Sequence, residues 1–208
     1  MRRGGDHAPY RYGKRLLDLL LSGLLLCFLW LPMLIIGALI RLDSRGGAIF
    51  RQLRVGREGK VFVCYKFRTM YTDAPADLAT SEFEDAHRYI TPVGRILRRT
   101  SLDELPQLWN VWKGDMSLVG PRPLIPRETD IHEWRRRCGV YAVRPGMTGL
   151  AQVRGRDRLP DPEKARWDAR YVRSMSLWGD LSILWQTALR VCSGEGIRMG
   201  AAEEKIQT

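Results

Sequence analysis

The chain has 208 residues, 45% of them hydrophobic and 27% charged, which suits one folded domain with an appendage and excludes a disordered or low-complexity chain. Lys and Arg total 34 against 23 Asp and Glu, for a net charge of +11, and the basic residues divide into 28 Arg and 6 Lys. The planar guanidinium matches phosphate and carboxylate, so this balance points to nucleic acid, acidic lipid or nucleotide-type substrates as partners. Cys27, Cys64, Cys138 and Cys192 form no CxxC pair, and His7, His87 and His132 are scattered, a pattern that argues against a zinc site or a disulfide framework and fits a reducing compartment.

Leu19 to Ile40 is a run of 22 residues without a formal charge. As a straight helix it would reach about 33 Å, enough to cross a bilayer core. No small-residue cleavage site follows, since the next residues are RLDSRGG, so the run is not a removable signal peptide. Arg2, Arg3, Arg11, Lys14 and Arg15 precede it, and Arg41, Arg45, Arg51, Arg54, Arg57 and Lys60 follow it. Flanks so evenly basic give no preferred orientation and suggest that the segment enters and leaves by the same face. Pro32, inside the run, removes one helical hydrogen bond and favours a kink. A re-entrant membrane helix follows from these two facts. Proline is also tolerated in spanning helices, so a single-span anchor fits as well.

Beyond residue 41 no stretch is long and apolar enough to span again. Residues 48–55 and 60–67 read as strands of a hairpin, broken by Gly56 and Gly59. Residues 77–87 read as a short polar helix. Thr91-Pro92 marks a helix start with Thr91 as N-cap, and Val93, Ile96 and Leu97 share one face. Leu102, Leu105, Leu108, Trp109 and Trp112 recur at helical spacing over 102–112. GDMSLVGPRPLIP (114–126) reads as loop, 127–138 as a polar helix, and the stretch through Gly146, Gly149 and Gly155 as loop again. Amphipathic helices are expected at 162–175 and 179–192. Trp109, Trp112, Trp178 and Trp185 suit either the headgroup region or the core. The fold class is therefore α+β and mainly helical: one N-terminal membrane helix, then a small globular domain with a short β-hairpin and interfacial amphipathic helices.

The densest chemistry lies in RILRRTSLDELPQLWNVWKGDMSLVGPRP, residues 95–123, where Asp103 and Glu104 adjoin. Ser101-x-x-Glu104 has the pattern of a capping box, and Asp103 in a first helical turn has the pattern of ordinary helix-dipole chemistry. The same carboxylates stand close in sequence to Arg98, Arg99 and a Gly-Pro-Arg-Pro loop holding Pro121 and Arg122. That company suits a phosphoryl site with a carboxylate able to attack it, and a divalent cation would relieve repulsion between the two anions.

These residues carry a resemblance. KRLLD (Lys14 to Asp18), QLRVGREGKVF, YKFRTM, TPVGRILRRTSLDELPQLWNVWKGDMSLVGPRP, RPGMTGLAQVRGR (Arg144 to Arg156), WDARYV and LWGDLSILWQT run in order along nearly the whole chain. Together they resemble the bacterial sugar transferase family, the monotopic polyprenyl-phosphate phosphoglycosyl transferases. The resemblance implies transfer of a sugar-1-phosphate from a UDP-sugar to undecaprenyl phosphate at the cytoplasmic face of the bacterial inner membrane, with release of UMP. It implies Asp103 as nucleophile through a phosphosugar-aspartyl intermediate, Glu104 as its assistant, and both as ligands of Mg²⁺. Arg98 and Arg122 are implied on phosphate, and the N-terminal segment as a re-entrant membrane helix kinked at Pro32. Lys66, Arg68, Pro121 and Arg154 are further candidates for nucleotide or substrate contacts.

Two positions depart from the family pattern: Leu31 precedes Pro32 where serine is frequent, and Arg154 stands where a small polar residue, often asparagine, is usual. On this reading residues 1–41 form the N-terminal segment and membrane helix, 42–193 the catalytic domain and 194–208 a tail. A homodimer is compatible with the resemblance. Direct transfer with Asp103 as general base is the second enzymatic reading. A membrane-tethered nucleic-acid binder, prompted by the basic charge, lacks any recognisable nucleic-acid module, so nucleic acid is not an expected partner.

Overall fold

The computed structural model describes residues 8–74, 86–155 and 159–193. Helix α1 (Ala8–Asp43) runs on both sides of Pro32 and extends well beyond the apolar run at its N-terminal end. Its basic first half is ordered by contacts with the globular body. Arg15 donates to the carbonyls of Val111 and Trp112 at 2.7 and 2.9 Å. Asp18 is buried, accepting the Leu118 N–H at 3.0 Å through Oδ1. The far end is docked too. Ile40 packs with Phe67 and Leu97, and the Asp43 carboxylate accepts the Val93 N–H at 3.2 Å. Between these anchors Leu24, Phe28, Trp30, Leu31, Leu34 and Ile35 are exposed.

Strands β1 (Ile49–Val55) and β2 (Val61–Phe67) form the expected antiparallel hairpin, with Ile49 opposite Phe67 and Val55 opposite Val61. The pleat puts Gln52, Arg54, Cys64 and Lys66 on one face. After the short α2 (Ala86–Tyr89) comes α3 (Pro92–Thr100), capped as its sequence suggests: Thr91 Oγ1 accepts the Gly94 N–H at 3.0 Å. Gly94 lets α3 press onto β2's continuation, because a Cβ there would fall 2.1 Å from the Thr69 carbonyl oxygen. Of the polar helix expected at 77–87, only its end coincides with α2; residues 75–85 and the tail 194–208 lie outside the described residues.

The single helix expected over 102–112 is divided. A 3₁₀ turn covers Leu102–Glu104, and α4 spans Gln107–Lys113, with Pro106 just before it, where a missing N–H costs nothing. Two stretches read as loop also hold regular structure. β3 (Ser117–Val119) pairs in parallel with β4 (Gly146–Thr148), and α6 (Leu150–Arg154) follows. Glycine makes this pairing dense: a Cβ on Gly146 would lie 2.0 Å from the Gly120 nitrogen.

The remaining helices are α5 (Thr129–Arg137), α7 (Asp161–Arg173) and α8 (Leu177–Ser193). Val119, Val153, Tyr171, Met175 and Ile183 form a core that α7 and α8 share with β3 and α6. A second cluster, Cys64, Val111 and Met116, joins β2 to α4. The result is a mainly helical domain with one long apolar N-terminal helix and a short hairpin.

Candidate active site

The geometry begins at Ser101. Helix α3 ends there in the left-handed region (φ 57°), with the Ser101 N–H returning to the carbonyls of Arg98 and Leu97. The chain then turns once, through Leu102–Glu104, before α4. No capping box forms: the Ser101 side chain caps nothing, and an N-cap needs extended backbone whereas Ser101 serves as the stop of α3. Asp103 and Glu104 are thus delivered on a tight turn between two helices.

Three cations surround this pair. Lys66 Nζ on β2 donates to Glu104 Oε1 at 2.8 Å. The Arg122 guanidinium approaches the same oxygen at 3.9 Å. Arg98, at the end of α3, is aimed by a 2.8 Å hydrogen bond from its Nε to Thr69 Oγ1. Burial pushes the Asp103 carboxyl above the ordinary aspartate range, with Lys66 pulling it down and Glu104 pushing it up; Arg98 and Arg122 also pull it down. Burial likewise lowers the Arg98 guanidinium, against which Asp103 acts.

The loop bearing Arg122 is fixed by its carbonyls, one after another. Arg135 donates to Arg122 O at 2.7 Å, Arg54 to Pro123 O at 3.0 Å, the Val55 N–H to Leu124 O at 2.9 Å, and His132 Nε2 lies 2.8 Å from Ile125 O. The Pro121 carbonyl accepts the Gly146 N–H at 2.9 Å. Arg135 is itself held by Asp168 at 2.6 Å, a pair that is almost wholly buried. Arg54, lowered to about 10 by burial and then by Arg122, also donates to Gln52 Oε1. Sequence reading missed Arg54, His132, Arg135, Asp168 and Thr69. The contacts that bring Arg54, Arg135, Asp168 and Thr69 to the site span 13 to 69 residues, and His132 meets Ile125 across seven.

Two sequence candidates are not brought to the carboxylates by any observed contact. Arg68 is buried, and its guanidinium donates to the carbonyls of Gly47, Arg45 and Ser44 at 2.7, 2.8 and 2.9 Å, which closes the end of α1. Arg154 stacks over the Trp167 ring at 5.3 Å, as Arg170 does.

Among the described residues no group of three or more His, Cys, Asp or Glu gathers to cage a metal. Asp103 and Glu104 alone form a two-carboxylate donor set. That set fits Mg²⁺, which keeps several waters and is ordinarily held by one or two carboxylates plus substrate phosphates.

Exposed aromatic surface lies on two of the helices. Trp109 and Trp112 on α4 stack at 5.4 Å, both half-exposed. On α8, Leu177, Trp178, Leu181, Trp185 and Leu189 are exposed.

Residues 9–194 match the family described as bacterial sugar transferase. The chain is 40% identical over 204 residues to the undecaprenyl-phosphate galactose phosphotransferase of Salmonella typhimurium, covering 89% of this chain but 42% of that protein. It is 46% identical over 184 residues to the UDP-glucose:undecaprenyl-phosphate glucose-1-phosphate transferase of Caulobacter vibrioides, covering 84% and 67%. An exopolysaccharide production protein of Rhizobium meliloti is 34% identical over 200 residues, covering 88% and 87%. The chain spans less than half the length of the Salmonella relative.

Proposed function

The chain belongs to the bacterial sugar transferase family, and on that premise we propose that it transfers a sugar-1-phosphate from a UDP-sugar to undecaprenyl phosphate and releases UMP. The observation that carries this reading is the Asp103–Glu104 pair on its tight turn, with Lys66, Arg98 and Arg122 around it. Three fixed cations suit a diphosphate, and the part-buried carboxylate suits an attacking group.

In the first step a carboxylate oxygen of Asp103 attacks the β-phosphorus of the UDP-sugar. The bond to the oxygen bridging the two phosphates breaks, and UMP leaves with that oxygen and its electron pair. In the second step a phosphate oxygen of undecaprenyl phosphate attacks the same phosphorus, and the Asp103–phosphorus bond breaks to regenerate the carboxylate. Arg98 and Arg122 hold phosphoryl oxygens, and their charge stabilises what develops on them. Lys66 orients Glu104 and offsets its charge. Mg²⁺ bound to Asp103 and Glu104 would supply further neutralisation of the diphosphate. Covalent transfer lets a soluble donor and a lipid acceptor be handled in turn.

Membrane placement is part of the same reading. Both ends of α1 dock on one globular body, at Arg15 and Asp18 and again at Ile40 and Asp43. A helix crossing the bilayer would separate those ends by the hydrocarbon core, about 30 Å thick, and the domain would have to bridge it. This supports a re-entrant α1 with both basic flanks at the cytoplasmic face. The exposed tryptophans of α4 and α8 support interfacial seating, which brings Asp103 to headgroup depth. A panel of UDP-sugars with undecaprenyl phosphate, scored by UMP release, tests the activity and identifies the sugar. No release with any donor would overturn the reading.

A further inference from the structure

Away from the carboxylate pair, a crevice of about 60 Å³ opens where the start of α1 meets β3, the hairpin loop and the segment leading into β4. None of Asp103, Glu104, Lys66, Arg98 or Arg122 lines it. Its walls carry Arg11, Lys14 and Arg15 from α1, Arg57 from the hairpin loop, and Arg144 before β4. The carboxylate among the lining residues is Asp18, whose Oδ1 accepts the Leu118 N–H at 3.0 Å. Lys14 pairs with Asp180 and Arg57 with Glu58, which leaves the wall in positive excess.

The cations are held ready. Arg15 is fixed by the carbonyls of Val111 and Trp112, and Arg144 Nε by that of Gly114 at 2.8 Å. Each guanidinium has five N–H donors, so both keep donors to spare. Burial, then Arg15 and Arg57, lower the Arg144 guanidinium from its ordinary value, with Asp18 acting the other way, as expected where like charges crowd. The second sign is Ser117. Its Oγ is buried on the wall and has no hydrogen-bond partner among the described residues. A buried hydroxyl left unmatched is costly, and such a group in a native fold calls for an explanation.

We propose that this crevice is a second, non-catalytic phosphate-binding site, formed by Arg11, Arg15, Arg57, Arg144 and the Ser117 hydroxyl. A phosphate group offers several acceptor oxygens, enough for guanidinium donors and a hydroxyl together. The chemistry is common to a phospholipid headgroup and to free phosphate. The lipid source suits the position, because Leu16, Leu17 and Leu20 lie exposed on α1 just beyond the crevice, where the helix turns apolar. The proposal does not depend on the role given to Asp103.

The test uses the full chain in phosphatidylcholine nanodiscs at constant ionic strength, with thermal unfolding as the readout. One arm adds inorganic phosphate; the other replaces part of the phosphatidylcholine with phosphatidylglycerol. Either addition should raise the unfolding temperature. A rise with both indicates a site open to free phosphate, and a rise with phosphatidylglycerol alone indicates a headgroup site; both support the proposal. The exposed-site variant Arg11→Glu/Arg57→Glu should lose the rise, weakening apparent affinity at least tenfold. Ser117→Ala, which leaves the charge unchanged, should weaken it several-fold without lowering the basal unfolding temperature. Arg41→Glu/Arg45→Glu, at the other flank of α1, should keep it. No rise in either arm, a rise unchanged in Arg11→Glu/Arg57→Glu, or an equal loss in Arg41→Glu/Arg45→Glu would overturn the proposal.

Discussion

Arg135 donates one guanidinium N–H to the Arg122 carbonyl at 2.7 Å while Asp168 holds another of its N–H groups at 2.6 Å. The buried ion pair between α5 and α7 therefore sets the backbone of the loop that carries Arg122 to the carboxylate pair. Asp168→Asn leaves the Arg135 charge buried without a counterion, which costs about 3–5 kcal/mol. We expect a lower unfolding temperature and weaker donor binding, read as a raised KM for the UDP-sugar. Unchanged stability and KM would remove Arg135 from this positioning role.

Asp103 makes an opposite prediction for stability. Burial raises its carboxyl, so the folded chain holds that proton more readily than the unfolded chain. A group raised in this way contributes stability that is fully present below the ordinary aspartate pKa and is lost as pH rises through the raised one. At neutral pH the charged Asp103 thus weighs against folding. Asp103→Asn should abolish UMP release yet unfold at the same or a higher temperature at neutral pH, with the difference shrinking on acidification. A less stable Asp103→Asn at neutral pH contradicts this account.

Lys66 and Glu104 share a 2.8 Å ion pair, both about one-fifth exposed. Lys66→Ala removes one partner of Glu104 and one cation from the diphosphate site, so turnover should fall by about 100-fold, as on loss of one charge-stabilising donor. Folding should change little. A fall in unfolding temperature with kcat preserved would make the pair purely structural.

Topology is testable by thiol labelling. With Cys27, Cys64, Cys138 and Cys192 replaced, single cysteines before residue 12 and near residue 45 should both resist a membrane-impermeant reagent in intact cells. Labelling of the N-terminal cysteine alone would establish a spanning anchor. Pro32→Leu restores a hydrogen bond inside α1 and should shift some molecules toward that spanning form.

Much of the fold was legible because it rests on periodic burial. The hairpin and the helices α7 and α8 fall within a few residues of where apolar spacing put them, the Thr91 cap follows its Thr-Pro signal, and α5 falls within the stretch read as a polar helix. The β3–β4 pair was not legible. Its strands are three residues each, and they are joined by backbone pressed on glycine backbone at Gly120 and Gly146, which leaves no hydrophobic alternation to read. Ser101 misled in another way. Its capping-box pattern is real as a sequence, but α3 uses the residue in a left-handed stop. The carboxylate pair and Arg122 stood out through local density of charge. Arg135, Asp168 and Arg54 did not, because Arg135 meets Asp168 across 33 residues and Arg54 meets Pro123 across 69.

The central claim is that Asp103 becomes covalently bound to the transferred phosphosugar. Its most direct measurement is incubation of the full chain with UDP-sugar and Mg²⁺ without acceptor, followed by acid quench and peptide mass spectrometry. The account predicts a burst of UMP of up to one equivalent and a hexose-phosphate mass increment on the peptide bearing Asp103, discharged on adding undecaprenyl phosphate. UMP release only when both substrates are present, with no adduct and with Asp103 still required, would contradict it and favour direct transfer with Asp103 as base.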